Sequence, residues 1–209
     1  MTVAGLMLVL AVGGSDPAAA SAAVQRFYAI VIKDHPLGVP KGATKEALWP
    51  LLSRRLAGQL DLLQACEDDY YRRNRARLNP EPRPGDPNPP AYLKPTIAWL
   101  ERGLFSGYWE QALPAELAVV AAEPSVGGSL RVRVRFTYRD TFETYGRPPT
   151  DANTFRWLGL VVVVREHDRY LIDDYVPIDE ESGKTMTPLS ADFRECKGER
   201  WVGLKGQRY

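Results

Sequence analysis

The chain has 209 residues, enough for one domain with extensions or at most two small ones. Apolar residues make up 44% and charged residues 25%, which excludes global disorder. With 27 Lys and Arg against 26 Asp and Glu, the formal net charge of +1 excludes a global attraction to nucleic acid or to an anionic membrane. Two cysteines are too few for a disulfide scaffold and enough for one bridge.

Residues 3–12 form an apolar run of about ten residues, half of what a bilayer span needs. Ala20-Ser21-Ala22 follows and fits the small-x-small pattern of a signal-peptidase site, so residues 1–22 read as a secretory leader, although no Lys or Arg precedes the run. The competing reading is a first helix with Asp16 as N-cap and Pro17 at the first helical position.

Val24, Phe27, Tyr28 and Val31 recur at helical spacing and predict an amphipathic helix over 18–33, ended by His35-Pro36-Leu37-Gly38. Thr44 is the expected N-cap of a short helix reaching Trp49. Pro50 is then expected to start a longer helix, to about Leu78, with Leu52, Leu56, Leu60 and Leu63 on one stripe. Its second half is polar. Asp68 with Arg72 and Asp69 with Arg73 are i, i+4 pairs, and a solvated, salt-bridged face is the simpler reading than an acid/base or metal site. A Pro-rich loop covers 79–95, with six prolines between 79 and 90, and reads as a stiff connector. A short helix over 96–104 and an aromatic cluster from Leu104 to Trp109 come next, and such clusters more often fill a core edge than bind a ligand.

The second half of the chain reads as sheet. Residues 116–122 predict a strand closed by Pro124 and Gly127-Gly128. From Leu130 to Tyr138 apolar and polar residues alternate strictly, putting Arg131, Arg133, Arg135 and Arg139 on one face. Four arginines on a strand could bind an anion. The simpler expectation is an open face where they pair with acids such as Glu143 and Glu166, and the lack of interleaved aromatics argues against a nucleic-acid platform. Residues 155–164 are apolar on both faces, as in a central strand, and 169–176 follow the turn His167-Asp168. The three segments predict an antiparallel meander, and a tail begins at about 180. Asp173 and Asp174 lie in its last strand, where neighbours point to opposite faces, so one of them is expected to look inward. A buried carboxylate could act as a general base, and a structural, paired carboxylate is the simpler reading. Cys66 and Cys196 are expected to form a bridge if the chain is exported, and to be two free thiols if it is not.

The early Phe27-Tyr28 helix, the Leu-rich helix, the stretch Leu104-Phe-Ser-Gly-Tyr-Trp-Glu110, the alternating strand, the long central strand and the ending Arg169-Tyr-Leu-Ile-Asp-Asp-Tyr175 resemble the nuclear-transport-factor-two-like cone fold. Within it the chain is most similar to exported bacterial families of unknown function, whose last strand commonly reads Trp-Arg-Ile-Asp-Asp. Here Tyr170-Leu171 stand in place of Trp-Arg. The resemblance spans residues 23 to 200, and residues 23–209 are then one domain. It implies an α+β fold, a curved antiparallel sheet wrapped around N-terminal helices, with a pocket between them. Relatives use that pocket as an enzyme site, as a ligand site or not at all, so fold does not decide function. Enzymes of the fold pair an Asp with His or Tyr in the cone, whereas here both histidines fall at turns.

Two readings follow. One is a periplasmic or secreted, non-enzymatic protein that binds a small ligand or a protein partner, for example as an immunity protein. It is expected as monomer or homodimer, with no transmembrane span once mature and no nucleic-acid partner. The other is a small isomerase-, dehydratase- or cyclase-like enzyme, with Asp173 or Asp174 as base and Tyr28, Tyr138 or Trp157 lining the cavity. No motif implies a cofactor or a metal.

Overall fold

The computed structural model describes residues 16–78, 103–107, 113–139, 154–179 and 181–202. The apolar run 3–12, the Pro-rich loop, most of the helix expected over 96–104, Tyr108, Trp109, Glu143 and the hairpin tip near 146–149 lie outside them.

The described chain is α+β. Helix α1 spans Pro17–Asp34, and Asp16 caps it, its Oδ1 accepting from the Ala18 and Ala19 amides at 3.0 Å. Residues 17–22, which the leader reading assigns to the leader, form the start of this helix, and Ala20 is fully buried in the core. The helix ends at His35, whose left-handed φ of 44° turns the chain while its amide still reaches the Val31 carbonyl.

Helix α2 covers Gly42–Leu48, so Thr44 is not its cap. Lys41 holds the cap position without a side-chain bond, and the Thr44 hydroxyl donates to Asp34 instead. Pro50 does not open the long helix either. It sits in a 3₁₀ turn, Trp49–Leu51, and α3 begins later, at Arg54–Leu78. Ser53 supplies the start, its Oγ accepting from the Leu56 amide at 3.0 Å. The leucine stripe holds across this break: Leu52, Leu56, Leu60 and Leu63 are all buried. The polar half of α3 is less solvated than expected, because Glu67 and Asp69 are buried.

Four strands follow: β1 (Glu116–Pro124), β2 (Leu130–Tyr138), β3 (Phe155–Glu166) and β4 (Arg169–Pro177). They form one antiparallel sheet in the order β1-β2-β3-β4. The β3–β4 turn is made by His167 and Asp168, both with positive φ, the backbone twist that a two-residue hairpin requires. Leu130, Val132, Val134 and Phe136 share the buried face of β2, as the alternation predicts. Trp157, Val161 and Val163 extend that layer on β3, and Ile172 and Tyr175 on β4. Helix α1 packs on this layer with Val24, Phe27, Tyr28 and Val31, and α3 adds its leucines. Burying each such side chain contributes about 1.5–3 kcal/mol.

The free edge of β4 is not left open. Leu52 bridges to Ile172, and the Ser53 amide donates to the Ile172 carbonyl at 2.8 Å. The chain before α3 therefore covers an edge that would otherwise invite another strand. After β4 a 3₁₀ segment, Leu189–Glu195, leads into a short hairpin of β5 (Cys196–Lys197) and β6 (Arg200–Trp201).

Candidate functional site

The carboxylates singled out from the sequence sit where β4 is irregular. Val162 pairs with Asp174 and Val163 with Ile172, so Asp173 is an extra residue in a β-bulge. The bulge breaks the alternation that would send the two side chains to opposite faces, and both reach one guanidinium. Arg55 Nη2 lies 2.8 Å from Asp173 Oδ2 and 3.7 Å from Asp174 Oδ2. Of the two, only Asp174 is buried, and both reach the first turn of α3 through Arg55.

Every carboxylate oxygen of the pair is engaged. Asp173 accepts from Ser53 Oγ at 2.5 Å and from Arg55 Nε at 3.0 Å, and its own carbonyl accepts from Arg55 Nη2. Asp174 accepts from the Tyr175 amide at 2.9 Å, the Ser190 amide at 3.1 Å and the Ser190 hydroxyl. The hydrogen bonds from Arg55 to Asp173 raise the guanidinium further above its ordinary value, outweighing its partial loss of water. The cluster ties α3, β4 and the 3₁₀ segment together. It presents no carboxylate oxygen without a donor, which general-base chemistry would need.

The three candidate ligand-lining aromatics belong to one chain of ring contacts. Tyr28 packs on Phe136 at 5.3 Å, Phe136 stacks on Trp157 at 5.2 Å, Trp157 meets Phe155 at 5.5 Å, and Phe155 meets Tyr138 at 4.9 Å. Two of the three are structural. The Tyr28 hydroxyl donates to the Phe105 carbonyl at 2.6 Å, and Trp157 Nε1 to the Ser106 carbonyl at 2.9 Å. Tyr175 donates to the same Ser106 carbonyl at 2.8 Å. Three buried side chains thus pin residues 103–107 into the core, with Leu104 and Phe105 fully enclosed. Burial, with Tyr175 adding to it, raises the Tyr28 phenol well above its ordinary range, so it stays protonated and serves as a donor. Trp157 also borders a shallow hollow of about 300 Å³ with Ser106, Pro177, Ile178 and Met186.

A larger cleft, about 590 Å³, opens between α3 and the C-terminal segment. Leu62, Leu63, Phe193 and Cys196 give it an apolar wall, and Gln59 and Ser190 place polar groups on it. Leu62 is 46% exposed. Cys66 and Cys196 are joined as a disulfide, with their Cα atoms 6.0 Å apart, which holds the C-terminal side of the cleft to α3.

Sequence reasoning missed Arg55, Ser53 and Ser190. Each lies far from the aspartates along the chain, or is a residue type too common to stand out. It also missed Glu67. Its Oε1 pairs with Lys41 Nζ at 2.7 Å, while Oε2 is buried without a hydrogen-bond partner. Loss of water would lower the Lys41 ammonium, but the Glu67 hydrogen bond and charge, with help from Asp68 and Tyr71, raise it. Among the described residues no three His, Cys, Asp or Glu side chains converge as metal ligands, and no helix is long and apolar enough to cross a membrane.

In comparison with known proteins, the chain matches no family model, and no curated protein matches it.

Proposed function

We propose that this chain is a non-enzymatic binding protein of an extracytoplasmic compartment, built on the nuclear-transport-factor-two-like cone, and that its cleft between α3 and the C-terminal segment takes a small, largely apolar molecule. The cleft carries the reading: it is open, walled by Leu62, Leu63 and Phe193, and has Gln59 and Ser190 to orient a polar end. The closed disulfide supports the compartment, since such bonds persist in oxidising surroundings. The order of elements supports the cone: three helices, then an antiparallel meander whose buried layer receives α1.

The enzyme reading requires Asp173 or Asp174 as a free base beside a hollow core. Both are salt-bridged, and Phe27, Val134, Trp157 and Ile172 are buried together in the core cluster, which speaks against it.

Titration with octanol and with an anilinonaphthalene sulfonate dye tests the cleft. Both probes should bind, and Leu62→Asp should weaken them about tenfold, or about 1.4 kcal/mol, with thermal unfolding little changed. No binding by either probe, or equal binding by the variant, would remove the cleft as the ligand site.

A further inference from the structure

The face of the sheet turned away from α1 carries a feature that the cleft does not explain. Arg131, Arg133 and Arg135 are all exposed on β2, two residues apart in an extended strand, so their spacing is about 7 Å. The simplest expectation, neutralisation by acids across the strands, does not hold for them. Glu166 is taken by Arg54, and Glu116 by Arg139 at 2.6 Å. Among the described residues none of the three makes an ion pair, not even Arg131 with Glu123, which stands opposite it in register.

Beside this row runs a second one. Val162, Leu160 and Leu158 on β3 pair directly with Arg131, Arg133 and Arg135, and all three are only half-buried. A central strand that is apolar on both faces is ordinarily covered on both. Among the described residues one face is covered by α1 and the leucines of α3, and the other keeps a half-buried aliphatic stripe bordered by cations without an ion pair.

We propose that this open face docks an acidic protein partner, one that lays carboxylates on Arg131, Arg133 and Arg135 and aliphatic side chains on Leu158, Leu160 and Val162. Charge complementarity selects the partner. Three cations in a row favour an anionic surface, and the neighbouring aliphatic row favours one whose charges alternate with apolar groups, as in an extended acidic strand. Nucleic acid fits less well: the stripe offers no aromatic platform for bases, and the chain as a whole is nearly neutral. A second copy of the chain fits less well too, since it would bring the same arginines against these. The two surfaces meet at Asp174, which pairs with Val162 in register and is held by Ser190 of the cleft, and neither proposal depends on the other.

The test uses a fluorescent peptide alternating glutamate with valine and threonine, read by anisotropy. The full chain should bind it, more weakly as salt rises. The combined substitution Arg131→Gln, Arg133→Gln and Arg135→Gln should weaken binding at least tenfold. Leu160→Ser should weaken it severalfold, with melting temperatures close to wild type for the arginine variant. Leu62→Asp, which disables the cleft, should leave the peptide unaffected. Equal binding by the arginine variant would overturn the proposal. So would equal binding of polyglutamate, which lacks the aliphatic half, or tighter binding of oligothymidylate or of phosphatidylglycerol vesicles. Concentration-dependent dimerisation abolished by the same arginine substitutions would assign the face to a second copy and overturn it as well.

Discussion

Two regions of this molecule are held by opposite means. The layer between α1 and the sheet is continuous: Phe27, Tyr28, Phe136, Trp157 and Tyr175 pack edge to face or stacked, and their few polar atoms all donate to the carbonyls of 103–107. Among the described residues the C-terminal segment sends Leu189 fully into the core cluster and packs Phe193, Cys196 and Trp201 only partly against it. It is fastened at separate points: the disulfide from Cys66 to Cys196, Ser190 on Asp174, the Trp201 amide on Asp69 at 3.1 Å, and the Trp201 ring on Tyr70 at 4.7 Å. A chain that contributes a full strand or helix face is secured by buried area. A chain that leaves the sheet with only short elements needs covalent and charged attachments.

That contrast can be broken most severely at the disulfide. The bridge closes a loop between residues 130 apart, so replacing both cysteines by serine should cost up to about 5 kcal/mol in denaturant unfolding. Amide exchange should show Trp201 losing protection before β2 or β3. Simultaneous loss everywhere would mean that the two regions are one cooperative unit.

Arg55→Ala tests the charged attachments. It removes a cation shared by Asp173 and Asp174, and because the guanidinium is half exposed a loss of about 1–2 kcal/mol is expected. Arg55→Lys should recover only part of it, because a single ammonium cannot reproduce the fork.

Inside the continuous layer the sensitive point is Gly159. A Cβ there would stand 2.5 Å from the Tyr175 ring, which is itself buried, so Gly159→Ala should cost about 2 kcal/mol and shift the Tyr175 hydroxyl off the Ser106 carbonyl. Near-ultraviolet circular dichroism and denaturant unfolding read both effects. An unchanged spectrum would mean that the layer has slack.

The smallest effect expected is the acid sensitivity of the clasp. Partial loss of water would raise the Asp69 carboxyl, but the hydrogen bonds from Arg72 and the Trp201 amide, with the charge of Arg73, hold it below the ordinary carboxylate range. A depressed folded value means that this attachment is at full strength above the unfolded carboxyl's range, about pH 4, and is lost as pH falls through the folded value. Trp201 fluorescence should report the loss in Asp69→Asn at neutral pH and in the native chain only in acid.

Much of the layered region was legible in the sequence. The helical spacing of Val24, Phe27, Tyr28 and Val31 and the strict alternation from Leu130 to Tyr138 are local patterns, and burial acts on them directly. The turn at His167-Asp168 was legible too, though its positive φ at both residues was not. The candidate site was legible only in its residue types. Asp173 and Asp174 stood out, yet their neutralisation by Arg55, 118 residues away from Asp173, did not. The expected cross-strand pairing of the four arginines held only for Arg139, which meets Glu116, while Glu166 pairs with Arg54 and Glu143 lies outside the described residues.

The amino-acid order by itself determined which apolar side chains of α1 and β2 are inward, that helices precede the sheet, and that the strands run antiparallel, because these follow from periodicity and turn chemistry over a few residues. Only the tertiary structure decided that Asp173 occupies a bulge, that Ser53 rather than Pro50 starts α3, and that three arginines stay unpaired. Those outcomes depend on register and on which distant side chain arrives first within hydrogen-bond reach, and a local pattern carries no record of either.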